Sequence, residues 1–168
     1  RIPTYKIVTR HKPVGRGMPG LWPGRVASVH AADCIDESTE KVNIDAVRRM
    51  LRESMQALTG DNDARDSWAR FVAPTDVVGI KINASGAPNI CSLPEVVGAI
   101  AENLVAVGVK PENIWVHEKF QDQVRRVNYA AFLPKGAHVE TADSHLGYDP
   151  FTYVETSFFG EDDTRSNM

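Results

Sequence analysis

Three groups of polar residues are spaced so that each falls at the end of an apolar run. Lys81 and Asn83 follow the run VVGI at 77–80, with Ser85, Asn89 and Ser92 in the polar stretch beyond. His117 and Glu118 close the run IWV at 114–116, and Asp143 and His145 follow a β-prone run at 137–141. A lysine beside the free amides of a helix start suits an anionic group, phosphate or carboxylate. Lys81, Asn83, Ser85, Asn89 and Ser92 are therefore the candidate residues for a small anionic ligand. His117, Asp143 and His145 carry the donor types of a metal site, and a histidine beside a carboxylate is also an acid–base pair. Plainer readings fit the same residues. Lys81 can extend from a strand end to water, Ser92 can be only a helix cap, and His117 can be a strand-end histidine beside a surface carboxylate. Adjacent strand residues face opposite sides, so His117 and Glu118 share a pocket only if the strand has already ended. Cys91 needs a base to act as a nucleophile, and nothing in the sequence pairs it with one. No catalytic residue is assigned.

The elements that would position these residues are legible. The stretch at 77–82 is short, apolar and rich in β-branched residues, as in a buried strand. Ser92 and Glu95 form a capping box, with Pro94 tolerated in the first turn. Val96, Val97, Ile100, Leu104 and Val105 fall on one helical face, and Gly108 stands where a left-handed cap is wanted. Upstream, residues 25–30 (RVASVH) read as the first sheet strand. Asn43 caps a helix over 44–58 that ends at Thr59-Gly60, and Asp63 caps a short helix carrying Trp68 and Phe71. Downstream, 114–118 is a strand, 121–126 one or two helical turns, and 137–141 a further strand. Alternating strands and helices with short links predict an α/β fold. It would have three layers, with a mostly parallel sheet and flanking helices. In such sheets ligands bind at the carboxyl ends of the strands, which brings the three polar groups to one edge.

Other patterns exclude more than they establish. The string at 15–20 matches G-x-G-x-x-G, but Pro19 and Pro23 break any helix after it, so it is a surface loop. Asp61-Asn62-Asp63 lacks the glycine and closing glutamate of a calcium loop. Cys34 and Cys91 stand outside any C-x-x-C pair, so no iron–sulfur or zinc motif is encoded, and no cofactor has a specific motif here. Two buried thiols are expected in preference to a disulfide. A net charge of −3 gives no electrostatic case for nucleic acid or anionic membrane. No apolar run approaches the length of about 20 residues that spans a bilayer. The chain begins at Arg1, which leaves open a bacterial cytoplasmic location or export with a signal already removed.

The blocks DVVGIKIN at 76–83, S-x-PEVV at 92–97 and IWVHEKF at 114–120 together resemble a bacterial family known as domain of unknown function 362. The stretch PGRV at 23–26 and the helix over 43–58 followed by Thr59-Gly60 are similar as well. The resemblance runs from about residue 19 to about residue 143. It implies a longer protein of which this chain is the amino-terminal half. It also implies a link to redox or iron–sulfur modules, which some relatives carry. Where relatives often show Asp-Arg-Tyr after the third strand, this chain has Glu118-Lys119-Phe120, so a role for that hydroxyl does not transfer.

The domain reading is an arm at 1–24, an α/β domain at 25–145, and a strand with a polar tail at 146–168. The last segment is strongly apolar and aromatic at 151–159 and is expected to pack on another chain or on a carboxyl-terminal half. Two functions are expected in turn. One is the ligand- or cofactor-binding half of a redox-linked enzyme. The other is a non-catalytic subunit of a larger, extracytoplasmic assembly.

Overall fold

The computed structural model describes residues 5–12, 20–144, 147, 149–156 and 165–167. The elements are β1 (Tyr5–Val8), α1 (Ile44–Thr59), α2 (Ala64–Ala69), β2 (Val78–Lys81), α3 (Pro94–Ala106), β3 (Ile114–Glu118), α4 (Gln121–Val124), β4 (His138–Thr141), β5 (Tyr153–Thr156) and β6 (Arg165–Asn167). Short 3₁₀ turns at Pro111–Asn113 and Tyr129–Phe132 precede β3 and β4. The fold is mixed α/β. Strands β2, β3 and β4 form a three-stranded parallel sheet in that order. β1, β5 and β6 form a separate antiparallel sheet in the order β1-β5-β6.

Helix ends follow local chemistry. Asn43 Oδ1 accepts from the Ala46 amide at the start of α1, and Gly60 closes that helix at φ 83°. Asp63 accepts from the Arg65 and Asp66 amides at the start of α2. The expected capping box at Ser92 does not form. Leu93 occupies the cap position of α3 with no side-chain bond, and Pro94 is the first helical residue. The Ser92 hydroxyl instead accepts from the Asn83 amide across the loop, 3.0 Å away. A strand-to-helix loop with its own orphan donor took the serine that a local pattern assigns to the helix.

A second correction concerns residues 25–30. They form no strand, and among the described residues their amides past Arg25 make no backbone hydrogen bond. Ala27 and Val29 turn inward over α1, whereas Val26 is 88% exposed. The alternation of a strand is present without the ladder.

Alternation in the parallel sheet sorts its two faces. Val78, Ile80, Ile82, Ile114, Val116 and Val139 pack against Val97, Ala101 and Leu104 of α3, with Val124 and Tyr129. The opposite face carries Gly79 and Lys81, Trp115 and His117, His138 and Glu140. Gly79, Lys81 and His117 are exposed there. Among the described residues, the helices named above lie on one face of this sheet.

Candidate functional site

β2, β3 and β4 run parallel, so their carboxyl ends lie along one edge. The loop leaving β2 is tightly self-bonded. Asn83 Oδ1 accepts from the Ser85 amide at 3.0 Å, and the Ser92 amide donates to Asn83 O at 2.8 Å. An isolated bridge joins Gly86 to Ile90. Ala84 and Ala87 turn into the core, which leaves Asn83, Ser85 and Asn89 exposed on the outer side. The structure thus brings all five predicted ligand residues onto one strand end and its loop. Ser92 is the half-buried one, holding the loop's two arms together.

Lys81 is engaged. Its Nζ lies 2.7 Å from Glu118 Oε2 and donates to Ile82 O at 2.6 Å. Glu118 is 8% exposed, and its other oxygen accepts from the Lys119 amide at 2.6 Å. Burial pushes the Glu118 carboxyl up. Lys81 and the amides of Lys119 and Ala84 outweigh that, and the group sits below its ordinary 4.5. The acid is therefore a carboxylate at neutral pH, locked to the lysine. Beneath it, Tyr129 is 1% exposed and donates to Ser92 O at 2.7 Å. Burial, then the neighbouring Cys91 and the charge on Glu118, push the Tyr129 hydroxyl up to about 12. No pattern in the sequence marks Tyr129 for this bond. Its acceptor lies 37 positions earlier, and a pairing at that distance leaves no local signal.

The metal candidates separate. His117 faces the open side of the sheet, and Glu118 the covered side, as the period of two requires. Both carboxylate oxygens of Asp143 accept from the Gln121 amide, at 2.9 and 3.1 Å, so this residue caps α4. His145 lies outside the described residues. Among the described residues no three His, Cys, Asp or Glu side chains gather as a metal-binding group. Cys34 and Cys91 are free and half-buried.

Two hollows accompany this edge. A cleft of about 280 Å³ lies at the ends of β3 and β4, lined by Trp115, His117, Glu118, Glu140, Thr141 and Ala142 and, from the segment after β4, by Gly147. Thr141, 5% exposed, has a hydroxyl with no hydrogen-bond partner among the described residues. A larger apolar groove of about 450 Å³ runs between Ala27 and Val29, Met50 and Leu51 of α1, and Leu93 and Val96 at the start of α3. No helix among the described residues is long and apolar enough to cross a membrane.

No family model, curated protein or solved structure matches the chain.

Proposed function

We propose that the carboxyl edge of the parallel sheet binds a small anionic molecule, as the ligand- or cofactor-binding part of an enzyme. The observation that supports this is the convergence of Lys81 with the exposed Asn83, Ser85 and Asn89 beside an α3 start that has no side-chain cap. An anion there shares Lys81 with Glu118, and the side chain is 57% exposed and within reach of both. In the first turn Pro94 has no N–H and the Val96 and Val97 amides already donate to Leu93 O, which leaves the Glu95 amide as the further donor. The link to redox chemistry rests on the resemblance to family 362 and is part of the same proposal.

The test must separate binding from folding, because Lys81→Ala strands the buried Glu118. The double substitution Lys81→Met with Glu118→Gln removes both charges and keeps the packing. Titration with inorganic pyrophosphate, followed by calorimetry, should show binding to the wild type and loss in the double variant. Equal affinity in the two proteins sinks the proposal.

A second reading is a subunit of a larger assembly whose partner supplies the third layer. It is favoured by the open face, since parallel sheets are ordinarily covered on both sides. Phe151, 48% exposed under the Arg10 guanidinium, adds an aromatic to that case, while Tyr148 and the aromatics at 158 and 159 lie outside the described residues. A chain that stays monomeric alone and draws no partner on crosslinking in its native extract counts against this reading.

A further inference from the structure

Gly79 stands in the middle of a strand, where glycine weakens β structure. Nothing among the described residues asks for it. Its backbone is not in the left-handed region, and among the described residues a Cβ built there would meet only the His117 ring, at 3.5 Å, an ordinary contact. A glycine that neither conformation nor internal packing requires marks a place where something from outside approaches the strand.

The surroundings say what kind of group fits. Gly79 is in register with Trp115, and Trp115 with His138. The Trp115 and His138 rings are stacked, 3.9 Å between centroids and 16° between planes. They stand side by side on that face, and the next position in the row is Gly79, which carries no side chain. The face of Trp115 turned away from His138 therefore looks over a floor without a side chain. His117 closes the carboxyl side of that space, its Nε2 nearest the glycine. The next row is Lys81, His117 and Glu140, also in register, which puts polar groups at the rim.

We infer that this face binds a planar heteroaromatic ring of bicyclic or tricyclic size. The ring stands over Gly79, one side against Trp115 and one edge on His117, extending the Trp115–His138 stack by a third member. Stacking supplies the affinity, and the imidazole selects rings with a polar edge. The inference does not rest on the anion site. A ligand carrying both a ring and an acidic group could span the two, because Lys81 belongs to both.

The experiment uses uncharged probes, adenosine and riboflavin, so that it fails or succeeds independently of anion binding. Quenching of tryptophan fluorescence and saturation-transfer NMR read the contact. At least one probe should bind the wild type, with Trp115→Leu removing both signals despite the remaining Trp22 and Trp68. Gly79→Ala and Gly79→Val should weaken binding progressively, by about tenfold or more for valine, while unfolding shows both variants to be as stable as the wild type or more so. No binding of either probe overturns the inference, as does unchanged affinity in Gly79→Val. A Trp115 shielded from acrylamide in the ligand-free protein overturns it too, because polypeptide then occupies the face.

Discussion

Lys81 and Glu118 belong to neighbouring strands and to opposite faces of the sheet, yet they meet at 2.7 Å where the strands end. The lysine reaches around the edge from the exposed side to a carboxylate that is nearly buried. The pair clamps β2 to β3 at the point where the loop to α3 departs.

Removing one partner should cost more than removing both. Lys81→Ala leaves a buried carboxylate with only amide donors, for an expected loss of about 1–2 kcal/mol. That figure lies below the range for fully buried pairs because the lysine is 57% exposed and screened. The double substitution Lys81→Met with Glu118→Gln should recover part of the loss. Urea unfolding of the wild type, Lys81→Met, Glu118→Gln and the double variant gives the coupling, and additive losses would show that the pair contributes nothing as a pair.

The same carboxylate sets an acid dependence. Its folded-state value lies below the ordinary 4.5, so the unfolded chain takes up the proton first as pH falls. The stability it contributes is complete above about 4.5 and disappears as pH drops through the lower folded value. Unfolding measured from about pH 6 to about pH 3 should show wild type and Glu118→Gln converging toward the acid end. Curves that stay parallel would remove Glu118 from the account.

Gly98 predicts the opposite of Gly79. In α3, a Cβ at position 98 would stand 2.6 Å from Phe132 O and 3.0 Å from Phe132 Cβ. The helix lies directly on the turn Tyr129–Phe132, and backbone cannot give way as a side-chain tip does. Gly98→Ala gains up to about 1 kcal/mol in helix propensity, but overpacking of about 1–3 kcal/mol exceeds it. A lowered thermal midpoint is expected, and a raised one would refute the close packing of α3 on that turn.

Ser92→Ala separates two roles for one hydroxyl. As a cap it would fray the first turn of α3. As the acceptor for the Asn83 amide it should instead loosen the loop, at a cost of about 0.5–1.5 kcal/mol. Amide hydrogen exchange should quicken at Asn83 and stay unchanged at Val97, whose amide bonds to Leu93 O.

The sequence carried the elements whose signals are local. The helix from Asn43 to Gly60, the Asp63 cap, and the strands around 78–81, 114–118 and 138–141 all depend on neighbours a few residues away. What it did not carry depends on distant partners. Ser92 looked like a cap because its competing donor, the Asn83 amide, is across a loop. Residues 25–30 have strand alternation, but a strand needs a ladder partner, and none is found among the described residues. Asp143 has a ligand's chemistry and serves the amide of Gln121, which lies on another element. The Lys81–His117–Glu140 row was available in principle, since period-two alternation puts each on the same face once the register is known. Register is the one thing an isolated strand pattern lacks.

The antiparallel pairing of β1 with β5 joins segments separated by roughly 150 residues, so closing it carries the largest loop entropy in the molecule. The parallel sheet is assembled from far shorter crossovers. The order of folding follows. By loop entropy the β2-β3-β4 unit with α3 is expected to form before the β1–β5 clasp, whose halves stand far apart in the chain. On unfolding the clasp should be the first ladder to exchange its amides, a slow-closing latch.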